Sequence, residues 1–383
     1  MCPSEPIVER IAERTTASDT GRRPSPGIAD AAYVGPAGAR LHSLVRRAGG
    51  DGPVVCFIHG NLSSARFFEP LFRSLPASWH LVAPDLRGFG RSDAVPVDAT
   101  RGLGDFVDDV DRVLGDPTLV PAGGGVHLVG WSMGGGVAMA YAIAHPDKVV
   151  SVTLLAPLSP FGFGGTRGVE GILCHDDGAG TGAGTVAAQL VQRLEQKDRT
   201  AESDFSPRSV LRSLYLGPGS KLPADLEDLF VDEILLGGLG DDHYPGDQRT
   251  SEHWPGVAPG VRGVANTMSP LYCNVSAFAD VAAARPVLWV HGTEDLIVSD
   301  HSMLDLGHLG ALGVVPGWPG DEVFPAQPMV SQTRAILHQG EEQGGTLVEA
   351  VFEGCGHSPH LEDEAHFVDL LEPFVETAEA RAQ

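Results

Sequence analysis

The chain has 383 residues, enough for one large domain or a domain carrying an insertion, and an ordinary globular composition apart from 49 glycines and 29 prolines, which imply many turns. A formal charge of -24, with no basic stripe to make a local phosphate track, excludes nucleic acid as a partner. Five scattered cysteines (2, 56, 174, 273 and 355) form neither a metal knuckle nor a disulfide framework, the start Met1-Cys2-Pro3-Ser4-Glu5 lacks signal-peptide character, and no 18-residue apolar span occurs, so a soluble cytoplasmic protein with no membrane partner is expected.

Residues 1–30 are polar, with Thr15-Thr16-Ala17-Ser18 and Arg22-Arg23-Pro24-Ser25-Pro26, and read as a flexible extension. Short strands are predicted at 39–46, 53–58 and 80–84, each ending near glycine, proline or a charge. A helix over 102–114 sets Leu103, Phe106, Val107, Val110 and Val113 at roughly helical spacing among acidic residues. Val126 to Val129 reads as a buried strand, Gly134 to Ala144 as a small-residue helix, and Val149 to Leu155 as another strand. Alternating strand and helix predicts an α/β fold with a mostly parallel sheet covered on both faces.

The segment 158–285 is too long for an ordinary connection; it is glycine-rich at first and then helical near 184–196, 207–215 and 223–235, which predicts an inserted cap. The sheet resumes at Pro286-Val287-Leu288-Trp289-Val290 and ends at Thr346 to Phe352, with a smaller excursion over 300–340 that holds a helix at 329–339. The expected core is thus 31–157 with 286–383.

Chemistry concentrates at the strand ends. Ser132 lies in Val126-His127-Leu128-Val129-Gly130-Trp131-Ser132-Met133-Gly134-Gly135-Gly136, a Gly-x-Ser-x-Gly pattern whose small residues let a tight strand-to-helix turn present a nucleophile. In Phe57-Ile58-His59-Gly60-Asn61-Leu62, an apolar strand ends in a tight loop where Asn61 or Leu62 offers a backbone N–H; Met133 offers a second, and two such donors stabilise a tetrahedral oxyanion. His59 is expected to be a structural loop histidine. Asp295, in His291-Gly292-Thr293-Glu294-Asp295, can orient an imidazolium, with Glu294 as its local rival and its register with Gly292 in its favour. His357, in Glu353-Gly354-Cys355-Gly356-His357-Ser358-Pro359-His360, is the expected base, with His360 and His366 as competitors.

The order Ser132, Asp295, His357, each just past a strand, resembles the alpha/beta-hydrolase superfamily in its lid-bearing esterase, lactonase and cofactor-free haloperoxidase branch. Asp85-Leu86-Arg87-Gly88-Phe89-Gly90-Arg91-Ser92-Asp93 adds to the resemblance, which covers roughly 31–157 and 286–378. It implies a central sheet flanked by helices under a mainly helical cap, with Ser132 as nucleophile, Asp295 as acid, His357 as base, and Asn61 and Met133 as oxyanion-hole backbone. Haloalkane dehalogenases and epoxide hydrolases of related architecture use aspartate where this chain has Ser132, which argues against both activities.

The expected activity is hydrolysis of a small carboxylic ester or lactone through an acyl-enzyme, with no cofactor and no metal. Carbon–carbon bond cleavage or a lyase reaction with the same triad is one alternative, and a non-catalytic small-molecule receptor another. Leu62, Trp131, Trp254, Tyr272 and Trp318 are candidate substrate contacts, with packing of the lid core as the rival role for the aromatic residues. His175-Asp176-Asp177 and Asp241-Asp242-His243 read as solvated acidic surface rather than a metal site. A homodimer is compatible with the sequence, which leaves the oligomeric state open.

Overall fold

A computed structural model describes residues 23–121 and 123–382. Its centre is one sheet of eight strands: β1 (Ala29–Val34), β2 (Arg40–Arg46), β3 (Val54–Ile58), β4 (His80–Pro84), β5 (Val126–Trp131), β6 (Val149–Leu155), β7 (Val287–Gly292) and β8 (Leu347–Phe352). Their spatial order is β1-β2-β4-β3-β5-β6-β7-β8. The β1–β2 and β2–β4 pairs are antiparallel and every later pair is parallel. Every residue of β3 and β5 is buried, as strands covered on both faces must be. The one imidazole in β5, His127, meets the Ser151 hydroxyl at 2.8 Å and the Glu379 carboxylate at 3.0 Å, so its burial leaves no nitrogen unpaired.

Helices α1 (Glu69–Ser74), α2 (Gly104–Leu114) and α3 (Met133–Ala144) pack on this sheet. On α2 the predicted face is buried through Phe106, Val107, Val110 and Val113. Between β6 and β7 lies the cap, with α4 (Ala188–Glu195), a short helix Pro207–Val210 running into a π-helical turn Leu211–Tyr215, α5 (Ala224–Ile234), two small hairpins, and α6 (Phe278–Ala284) leading back to the sheet. These elements occupy the three helical stretches read from the sequence. Beyond β7, α7 (Met329–Glu342) closes the second excursion, and α8 (Glu364–Ala382) covers the sheet with Phe367, Leu371, Val375 and Ala378.

Two features depart from the sequence reading. Of the stretch expected to be an extension, residues 1–22 lie outside the described residues; beyond them the chain is already tied down. Ser25 donates to Glu69 through its N–H at 2.7 Å and its hydroxyl at 2.6 Å, and β1 begins at Ala29, paired with Val45 of β2. Ala-Asp-Ala-Ala-Tyr-Val carries little strand propensity of its own, and its conformation comes from pairing with β2. The other is α8, which lies beyond the elements expected from the sequence although its buried positions follow helical spacing.

Candidate active site

Ser132 joins β5 to α3 with φ 58° and ψ -123°, a backbone state that costs an L-residue free energy and persists only where its surroundings impose it. Its N–H donates to the Leu155 carbonyl at 3.0 Å, and its carbonyl accepts from the N–H groups of Gly135 at 2.9 Å and Leu158 at 2.8 Å. A Cβ on Gly134 would overlap the Ile58 and His59 carbonyl oxygens, and one on Gly60 would lie 2.8 Å from the Ser132 Cβ. The loop after β3 therefore passes directly against the serine, and glycine at both positions is a steric requirement. Ser132 itself stays partly exposed.

On the neighbouring strand ends, His357 Nδ1 meets Asp295 Oδ2 at 2.8 Å, with both side chains almost fully buried. The other Asp295 oxygen accepts the Ile297 and Val298 N–H groups at 2.7 and 2.9 Å, so the carboxylate cannot turn away. Among the described residues His357 Nε2 has no hydrogen-bond partner. The His357 loop is joined to the serine turn through Trp131, whose indole N–H donates to the His357 carbonyl at 2.8 Å. Glu294 is exposed, and its backbone N–H donates to the Cys355 carbonyl; His366 is exposed and stacks on Phe352. His360 is buried against Trp131 and Phe68, with burial pushing its pKa down to about 3, so it stays a neutral ring behind His357.

The loop after β3 is fixed from below. Leu86 N–H donates to His59 Nε2 at 3.1 Å, so the His59 proton sits on Nδ1 and is donated to the Gly60 carbonyl at 2.8 Å. Ser63 Oγ donates to that same carbonyl at 2.8 Å. The N–H of Asn61 lies trans across this peptide plane and points the opposite way. His59 is thus a structural histidine, and burial lowers its pKa. Leu62 follows with a positive φ of 47°. Among the described residues, the N–H groups of Asn61, Leu62 and Met133 donate to no backbone carbonyl outside the regular elements, and α3, starting at Met133, leaves its first N–H unpaired.

A buried ionic thread supports the same loop. Asp85 accepts the Ala65 N–H at 2.7 Å and the Arg91 N–H at 2.8 Å and meets His42 Nδ1 at 2.7 Å. Burial alone would raise the Asp85 carboxyl, but the His42 charge and hydrogen bond outweigh it and bring the pKa down to about 2. From the cap, Glu233 on α5 accepts the Ser64 hydroxyl at 2.8 Å and pairs with Arg91 at 3.0 Å.

The candidate substrate contacts scatter. Leu62 lies in the loop beside Ser132 and is buried. Trp131, fully buried, packs on Phe67, Tyr215, His357 and His360, so it is a wall of the histidine's seat and not an open contact surface. Trp254 donates to Pro316 O and lies edge-on to Phe324 at 5.0 Å, while Trp318 donates to Phe324 O. Trp254 thus fastens the cap to the second excursion and Trp318 closes a turn within that excursion, the packing role weighed against substrate contact; an aromatic residue in a loop carries no local sign of what will cover it. Tyr272 is half-buried in the turn after Ser269, its carbonyl against Gly102. Missing from the sequence reading were Tyr215, which donates to the Asn61 and Leu62 carbonyls, and Glu233 and Glu362, which bind the cap to the site loops. Among the described residues no three His, Cys, Asp or Glu side chains gather to hold a metal ion, and no helix is long and apolar enough to cross a membrane.

Residues 53–167 match the family described as alpha/beta hydrolase fold. A 2-(acetamidomethylene)succinate hydrolase of Mesorhizobium japonicum is 24% identical over 71% of this chain and 82% of its own length. The Arabidopsis thaliana protein named "Probable lysophospholipase BODYGUARD 4" is 39% identical over 27% of this chain, a match that spans 24% of that relative's length. Among solved structures, an esterase from Rhodococcus sp. ECU1013 superposes with a TM-score of 0.55 at 19% identity, covering 91% of this chain and 99% of that one. At such identity the likeness is one of fold.

Proposed function

We propose that this chain, whose residues 53–167 match the alpha/beta hydrolase fold family, is a serine hydrolase that cleaves a carboxylic ester or lactone through an acyl-enzyme. The observation that carries the reading is the His357 imidazole, tied to Asp295 through Nδ1 at 2.8 Å with Nε2 left unpartnered, on a loop bonded to the serine turn. In the proposed cycle His357 Nε2 takes the Ser132 proton as Oγ attacks the substrate carbonyl. Asp295 holds the imidazole in the competent tautomer and stabilises its charged form. The oxyanion rests on the backbone N–H of Met133 together with that of Asn61 or Leu62. Collapse expels the alcohol, which takes the proton from His357; water, deprotonated by the same nitrogen, then releases the acid and restores Ser132.

Gly60 and Gly134 support the assignment, since their lack of a side chain is what lets the serine, α3 and the donor loop meet. A panel of activated esters and lactones, assayed with wild type and Ser132→Ala, tests the reading. Turnover is expected to fall by about three orders of magnitude or more in the variant, and a fluorophosphonate should label wild type at Ser132 alone. Turnover unchanged by Ser132→Ala removes the serine from the mechanism. Labelling of Ser132 without turnover of any ester or lactone moves the assignment to carbon–carbon cleavage or lyase chemistry on the same triad.

A further inference from the structure

The cap reaches into the catalytic geometry through one side chain. Its π-helical turn ends on Tyr215, 6% exposed, whose hydroxyl donates to the Asn61 carbonyl at 3.0 Å and the Leu62 carbonyl at 3.3 Å. The Tyr215 ring lies 20° from the plane of the His357 imidazole with centroids 6.1 Å apart, and 5.6 Å from Trp131. Burial pushes the phenol well above its ordinary pKa, so the hydroxyl keeps its proton and can only donate to these carbonyls. Two residues on, the Gly217 backbone packs against Gly354 and Gly356 too closely for a side chain on Gly217. Glu362 fastens both loops, accepting the Gly217 N–H at 2.7 Å through Oε2 and the Gly356 N–H at 2.8 Å through Oε1. One short piece of cap is thereby bonded to the loop that carries Asn61 and Leu62 and to the loop that carries His357.

Peptide geometry supplies the consequence. In a trans peptide the C=O and the following N–H point in opposite directions. The Gly60 carbonyl is held by His59 and Ser63 of the core, which aims the Asn61 N–H. The Asn61 carbonyl is held by Tyr215, which aims the Leu62 N–H away from the phenol. We propose that Tyr215 is a positioning residue for acyl transfer: by holding the Asn61 carbonyl it sets the direction of the Leu62 N–H as an oxyanion donor, and it backs His357, so that this donor is in place only when the cap is seated. The inference rests on the serine-hydrolase reading above.

Tyr215→Phe tests it, because the ring stays and the donor goes. On an activated ester, kcat is expected to fall about 10- to 100-fold with KM within about twofold, since small misplacements of a transition-state donor cost rate rather than ground-state binding. The rate of Ser132 labelling by a fluorophosphonate, whose phosphoryl oxygen enters the same hole, should fall by a similar factor while the final stoichiometry stays at one per chain. A kcat and a labelling rate within about twofold of wild type overturn the proposal, as does a change confined to KM. Should Tyr215→Phe fail to fold, Glu362→Gln carries the same test by loosening Gly217 and Gly356 together: a kcat reduced about threefold or more at unchanged KM supports the proposal, and an unchanged kcat overturns it. A wild type that never labels at Ser132 would defeat the hydrolase reading itself, so the two failures are told apart.

Discussion

Asp295 uses both of its oxygens, one on His357 Nδ1 and one on the N–H groups of Ile297 and Val298. An acceptor held this way requires the His357 proton on Nδ1 and leaves Nε2 as the basic nitrogen. In Asp295→Asn an amide N–H can face Nδ1, the proton moves to Nε2, and the nitrogen that accepts from Ser132 in the proposed cycle becomes a donor. The expected result is a fall in kcat of about three to four orders of magnitude, with far-UV circular dichroism unchanged. Glu294→Gln, at the exposed neighbouring position, should leave kcat within about twofold, and the paired assay checks the choice of carboxylate. The same scale separates the histidines: His360, three residues past His357, sits buried and neutral, with no hydrogen-bond partner among the described residues, behind the imidazole that has the carboxylate.

Between β5 and α3 the decisive quantity is the distance of closest approach. The helix begins at Met133 and its first turn presses on the end of β3, where any side chain on Gly134 collides with two carbonyl oxygens that cannot retreat without unzipping the strand. Gly134→Ala is expected to lower the unfolding free energy by about 2 kcal/mol or more, read as a shift in the urea midpoint at constant m-value, and to lower the labelling rate of Ser132 as well. A neutral effect on both would mean that α3 can slide, and that the turn is not held as described. The helical turn Leu211–Tyr215 is the cap's counterpart, an element whose end residue, not its face, is what reaches the site.

Across the whole molecule a chain of charges runs from the sheet edge to the cap: Asp30 on β1 to His42 on β2, His42 to Asp85 after β4, and Arg91 to Glu233 on α5. Its pH dependence has two limbs. Asp85 is lowered from 3.8 to about 2, so its stabilising share is present above pH 3.8 and is lost as pH falls through about 2. His42 is raised from 6.5, against the opposing effect of burial, by Asp85 and Asp30; its share is full below pH 6.5 and is lost as pH climbs through the raised value. Between pH 4 and pH 2 the wild type should therefore lose about 2 kcal/mol more unfolding free energy than Asp85→Asn does, measured by urea denaturation at each pH. Equal losses in the two proteins would show that the Asp85 carboxylate is not held by its neighbours.

Ser132, Asp295 and His357 stand out as candidates because each is marked locally, by a run of apolar strand residues that stops at glycine and a polar side chain. Strand–helix alternation likewise announced the sheet, since a period of two and a period of 3.6 are properties of neighbouring residues. Which of Glu294 and Asp295 meets an imidazole, and which of His357 and His360 meets that carboxylate, is a matter of a residue or two of register, decided by packing against β7 and Trp131. Tyr215, Glu233 and Glu362 could not be read at all. Their partners lie 154, 169 and 145 residues away along the chain, at Asn61, Ser64 and Gly217. A hydrogen bond closed over such a span leaves no pattern in the residues on either side of it; it exists once the cap has folded back over the sheet.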